Sequence, residues 1–114
     1  MASVYVNNLV INSGSNFVQT FDLEDGNSNS ALNLEGHTVE SQIRKWYGSS
    51  TSVSFNATIE DPPSSGKILL RLTSQQTSNL KPGRYVYDVV ITDSFSIKNR
   101  VVEGMVLVTE GVTR

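Results

Sequence analysis

The sequence predicts an all-β protein, a two-sheet β-sandwich of seven or eight antiparallel strands, on three observations. Apolar and polar residues alternate with period 2 almost everywhere, while an i, i+3, i+4, i+7 stripe never persists. Clusters of turn-forming residues interrupt this alternation at the intervals of a sandwich. There is no cysteine, so packing and the hydrogen-bonded ladders must hold the fold without disulfides or thiolate metal sites.

Taken in order, Ser3 to Ile11 reads as a first strand, and Asn16 to Leu23 as a second with Phe17, Gln19, Phe21 and Leu23 on one face. The Asp25 to Ser30 stretch is rich in residues that tolerate turn dihedrals and predicts a loop, followed by a short edge strand over Ala31 to Leu34. Thr38 to Tyr47 places Val39 and Ile43 on one face against Glu40, Gln42 and Arg44 on the other, and Gly48 to Ser52 breaks it. Val53 to Ile59 reads as one strand with Val53, Phe55, Ala57 and Ile59 together, and Glu60 to Gly66 as a solvated turn. Lys67 to Thr73 points Ile68, Leu70 and Leu72 inward and Lys67, Leu69 and Arg71 outward. Ser74 to Leu80 has helical character for one turn, with Thr73 or Ser74 as its cap.

Lys81-Pro82-Gly83-Arg84 suits a type II turn, because proline presets one central dihedral and glycine accepts the positive φ of the next. The strand leaving it sets Tyr85, Tyr87, Val89 and Ile91 against Val86, Asp88, Val90 and Thr92; Asp93 to Asn99 turns the chain, and Arg100 to Val108 returns. A polar turn leading into Leu80-Lys81-Pro82-Gly83-Arg84-Tyr85 is the pattern of an immunoglobulin-like corner, where a tyrosine hydroxyl bonds back to the preceding backbone. Trp46, on a middle strand, is a candidate for the large ring between the sheets, although its phase opposes Val39 and Ile43 unless a bulge intervenes. The whole chain, 1–114, reads as a single immunoglobulin-like domain.

Charge and hydropathy narrow the function. A net charge of −2 offers no basic footprint for nucleic acid. The longest apolar runs fall far short of the ~20 residues that span a bilayer. The first positive charge is Arg44, so no basic start of a secretory signal is expected. Residues 1–40 hold five acids and no Lys or Arg, and residues 41–114 nine bases against six acids, so the two parts carry −5 and +3. Either these charges scatter over one sandwich whose early and late strands are neighbours, or they make a dipolar subunit that steers assembly.

No set of residues supplies catalytic chemistry. His37 is the only histidine, without a second imidazole or a nucleophile–base–acid spacing. Asp22, Glu24 and Asp25, then Glu60 and Asp61, are carboxylates adjacent in turns, where separation across a cleft and a raised pKa are not expected. With Asn27 and Asn29 the first cluster offers oxygens to calcium but lacks the twelve-residue loop pattern that ends in glutamate. Asn56-Ala57-Thr58 matches the glycosylation acceptor pattern by chance in mid-strand. The expectation is no enzyme, no cofactor and no metal. Trp46, Tyr47 and Phe95 are the candidate interface residues, since exposed aromatic rings concentrate binding energy.

Several segments in series carry a resemblance: Gly36 to Arg44, Phe55 with Ala57, Gly66 to Thr73, Thr77, Leu80 to Val89, and Glu103 to Val108. Together with the opening strands and Val112-Thr113, this pattern resembles immunoglobulin-like modules of tailed-bacteriophage structural proteins, the N-terminal domain of baseplate upper proteins above all. The resemblance implies a virion protein, in the tail, baseplate or capsid, that acts through contacts with other virion proteins and uses no cofactor. Unlike in the family, no coiled coil or fibre is expected after this domain, and no interface residue transfers. A homo-oligomer is expected. The competing reading is a carbohydrate- or receptor-binding module, which would show Trp46, Tyr47 and Phe95 as a ring platform at one end of the sandwich.

Overall fold

The computed structural model describes residues 5–24 and 30–112. Among these are nine strands: β1 Tyr5–Val6, β2 Leu9–Asn12, β3 Phe17–Asp22, β4 Thr38–Arg44, β5 Val53–Ser54, β6 Asn56–Ile59, β7 Lys67–Leu72, β8 Gly83–Thr92 and β9 Lys98–Thr109. One short helix, α1 Ser74–Ser78, lies between β7 and β8. A six-stranded sheet has the order β1-β9-β8-β4-β5, with β2 also on β9, and a three-stranded sheet has the order β3-β7-β6. In chain order, β3, β6 and β7 fill the places of strands B, D and E of an immunoglobulin sandwich, and β4, β8 and β9 those of C, F and G. The fold is the immunoglobulin-like β-sandwich that the sequence predicts.

Alternation dictates the core. Ile11, Ile43, Tyr87, Val89, Val102 and Val106 of one sheet meet Phe21, Ile68, Leu70 and Leu72 of the other, all buried. Each fully buried aliphatic side chain contributes roughly 1.5–3 kcal/mol relative to exposure. Phe55 stacks obliquely on Phe17 at 5.9 Å and edge-on against Tyr87 at 6.1 Å, filling the middle of the sandwich.

Three features differ from the sequence reading. The count is nine rather than seven or eight, because two predicted strands are each split. Asn7 and Asn8 interrupt the opening strand, and Phe55 marks the point where Val53 to Ile59 leaves one sheet for the other, its N–H still donating to the Ser41 carbonyl at 3.0 Å. The strands are not all antiparallel: β1 and β2 run parallel to β9, with Tyr5 opposite Val102 and Leu9 opposite Val106. Period-2 alternation marks a strand's faces but carries no information on its direction. Finally, Ala31 forms only an isolated bridge with Glu24. Most of the predicted Asp25 to Ser30 loop, with Ser3 and Thr113, lies outside the described residues.

The corner between the sheets forms with the cap and the tyrosine bond that the sequence predicts, but without the predicted type II turn. Thr73 caps α1 in a capping box with Gln76. Thr77, wholly buried, donates its hydroxyl to the Ser15 carbonyl at 2.8 Å and accepts the Gly14 N–H at 3.1 Å, tying the β2–β3 turn to the helix. Gly83 takes φ +140°, but no Lys81–Arg84 hydrogen bond closes a type II turn. The Tyr85 hydroxyl donates to the Lys81 carbonyl at 2.6 Å, and the Lys45 ammonium sits 4.7 Å from the centre of the same ring.

Candidate interaction surface

The outer face of the six-stranded sheet follows from the registers, because residues opposite one another on neighbouring strands share a face. Val10 stands opposite Leu107, which stands opposite Arg84. One step along, Met105, Val86 and Arg44 form a row, then Val6, Glu103, Asp88 and Gln42, then Arg100, Val90 and Glu40. The β1–β2–β9 side of this face is apolar and open, with Val6 76%, Val10 57%, Met105 47% and Leu107 44% exposed. The β4–β8 side is charged. A bulge where Val89 and Val90 face Val102 and Arg100 inserts Val101 and bends the face there. Beside it lies a groove of about 350 Å³ lined by Glu40, Arg44, Tyr47, Asp88, Arg100 and Glu103, with others.

Arg44 is fixed by its neighbours, donating to the Ser49 carbonyl at 2.5 Å and to Gln42 Oε1 at 2.9 Å. Partial burial pushes the Asp88 carboxyl above the usual carboxylate range; Arg100 and Arg44 pull it down and Glu103 adds to the rise. The folded protein therefore binds this proton more tightly than the unfolded chain. The stability that Asp88 contributes is present at low pH and is lost as pH rises through the ordinary carboxylate range into the raised one. Asp88→Asn is expected to raise the melting temperature at neutral pH and to lose that advantage below the carboxylate range. Paired thermal melts across pH check this, and a less stable variant at neutral pH would contradict it.

The sequence-predicted residues divide. Trp46, Tyr47 and Phe95 are 62%, 75% and 83% exposed, so Trp46 does not fill the space between the sheets. It follows the end of β4, and its ring packs on Gly48, where a Cβ would overlap it. Phe55 and Tyr87 occupy the interior instead. The three rings form no single platform. Thr38 pairs with Thr92 at one end of β4 and Arg44 with Val86 at the other, about 20 Å apart at strand rise. Trp46 and Tyr47 extend from the Arg44 end, while Phe95 tips the β8–β9 hairpin at the opposite end. Only Tyr47 joins the groove.

His37 is half-buried with Nδ1 3.1 Å from the Glu35 backbone oxygen. Asp22 and Glu24 are exposed, and Asp25, Asn27 and Asn29 lie outside the described residues. Among the described residues no three His, Asp or Glu side chains gather to hold a metal ion. No described helix is long and apolar enough to cross a membrane. The acidic and basic parts of the chain interleave: Glu40 shares the groove with Lys98 and Arg100, and Asp22 lies 3.9 Å from Lys67.

The apolar half of the outer face is absent from the sequence-based candidates. Its signal is the unbroken runs Leu9-Val10-Ile11 and Met105-Val106-Leu107-Val108, in which both faces of a strand are apolar, as expected where both are covered.

No family model and no curated protein sequence matches this chain. Among solved structures, an internalin-like protein of Listeria monocytogenes aligns over 95% of this chain and 28% of its own, with 18% identity and a TM-score of 0.44. A family 123 glycoside hydrolase from Clostridium perfringens aligns over 96% of this chain and 24% of its own, with 13% identity and a TM-score of 0.42. The chain thus spans about a quarter of the length of each.

Proposed function

We propose that this chain is a non-enzymatic structural component of a bacteriophage virion, associated with the tail, baseplate or capsid, that works by protein–protein assembly. The observation that carries the assembly reading is the outer face of the six-stranded sheet. Val6, Val10, Met105 and Leu107 form an exposed apolar strip beside Arg84, Glu103, Asp88 and Arg44. An apolar strip flanked on one side by both signs of charge has the composition of a protein interface, the strip supplying affinity and the charges orientation. The virion assignment rests on the sequence pattern. A second reading, carbohydrate binding, is favoured by one observation, the exposed Tyr47 ring at the lip of a groove with Arg44 and Asp88.

The double variant Met105→Glu/Leu107→Glu tests the first reading. Both side chains face solvent, so folding should survive, and the assembled mass seen by light scattering should fall by at least one subunit. An unchanged mass would remove the outer face from assembly. Reproducible glycan-array binding that Tyr47→Ala abolishes would transfer the function to the second reading.

A further inference from the structure

Among the described residues the three-stranded sheet has an open edge at β3. β3 borders β7 on one side, and among the described residues no strand borders its other side, because the opening strands lie on β9 of the other sheet. The Leu23 N–H donates to the Gly66 carbonyl at 2.8 Å, which makes that pair a hydrogen-bonded one. Such pairs recur at every second position of an antiparallel ladder. Following the register back, Phe21, Gln19 and Phe17 bond to Ile68, Leu70 and Leu72. The N–H and C=O groups of Val18, Thr20 and Asp22 therefore point away from the sheet.

Among the described residues no hydrogen bond reaches the N–H of Val18 or Thr20, and the Thr20 carbonyl receives only the Gln19 side-chain amide, at 3.1 Å. Open edges are usually blunted by shortness, bulges, proline or lysine. β5 has two residues, β6 four, and the β1–β2 edge is interrupted at Asn7 and Asn8. β3 has six residues in continuous register, with no proline, glycine or lysine and one charge, Asp22.

We infer that β3 pairs antiparallel with β3 of a second copy of this chain, about a two-fold axis at Gln19, to join two three-stranded sheets into one. This rests on the reading that the chain works by assembly, and it adds a surface distinct from the outer face. The strand is self-complementary in that register. Val18 faces the second copy's Thr20, both with free backbone groups, so each pair exchanges two N–H···O bonds. On the inner face Phe17 meets the second copy's Phe21 and Gln19 meets Gln19, covering two side chains, Phe17 and Gln19, that the single copy leaves half-buried.

On the outer face Asp22 meets the second copy's Asn16. Asn16 Oδ1 already accepts the Ser74 N–H at 2.7 Å, which leaves its amide N–H groups to donate to the carboxylate. The Gln19 amide that guards the Thr20 carbonyl is displaced by a strand N–H and bonds its symmetry mate instead. With the outer face as a second contact, these dimers would build larger symmetric assemblies.

The chain has no cysteine, so Gln19→Cys introduces a single thiol. Gln19 opposite its mate is a non-hydrogen-bonded pair, with Cα atoms about 4.5 Å apart, within the ~4.4–6.8 Å range a disulfide spans. Under a glutathione redox buffer, Gln19→Cys should run mostly as a disulfide-linked dimer. Val18→Cys and Thr20→Cys, which face each other's positions rather than their own, should stay at least ten-fold less linked. Adding Met105→Glu/Leu107→Glu should leave the Gln19→Cys link intact, so loss of the outer-face contact and loss of this one are separable. Absence of the link at Gln19, or equal linking at Val18, would overturn the inference.

Discussion

Tyr87→Ala is expected to cost about 3–5 kcal/mol of folding stability, the range for emptying a large aromatic site in a core. Tyr87 is buried, packs edge-on against Phe55, and donates its hydroxyl to the Asn7 carbonyl at 2.5 Å. Burial holds its phenol well above the usual tyrosine range, so the hydroxyl remains a donor at any working pH. It stands two residues after the corner tyrosine, Tyr85, where an antibody domain has the second cysteine of its inter-sheet disulfide. In this chain the ring and its hydrogen bond stand in that place. Tyr87→Phe keeps the ring and strands the Asn7 carbonyl, and is expected to cost about 1–3 kcal/mol. Urea unfolding of both variants checks the account. A Phe variant as stable as the parent would show that the hydroxyl contributes nothing net.

Gly104→Val is expected to cost about 1–3 kcal/mol, as overpacking against fixed neighbours does, and to loosen the opening strands from β9. A Cβ at Gly104 would overlap the Asn7 carbonyl and lie 3.1 Å from Asn8 Oδ1. Neither can retreat freely. The Asn7 N–H donates to the Glu103 carbonyl at 2.9 Å, and Asn8 Oδ1 accepts the Met105 N–H at 3.0 Å. Hydrogen exchange at the Leu9 to Ile11 amides should quicken in this variant while the β4–β8 ladder stays protected. Unchanged exchange at Leu9 to Ile11 would contradict it. Because Tyr87 and Gly104 both act on Asn7, Tyr87→Phe and Gly104→Val should be non-additive when combined.

Local chemistry made much of the fold legible. The faces of β8 follow from alternation alone, the Thr73 cap from its hydroxyl before a polar turn, and the Tyr85–Lys81 bond from the spacing of the corner. What remained hidden depends on which strands become neighbours. Alternation is silent on direction, so the parallel pairing of β1 and β2 with β9 was not readable. It runs unbroken through Phe55, so the change of sheet there was not readable either. The interaction surface was half-legible for the same reason. Exposed rings are visible as residue types, yet only the β4–β8 register shows that Trp46 and Phe95 stand at opposite ends. Val10 and Leu107 become one patch only when a parallel register brings them together.

The most direct test of assembly is the solution mass of the unmodified chain. Light scattering during size exclusion, loaded at ~100 µM, detects contacts of about −5.5 kcal/mol or better. A defined oligomer is expected. At high salt, where the charged flank is screened, it should loosen without dissolving completely, because strand pairing and the apolar strip persist. A monomer at every concentration and salt would contradict self-assembly.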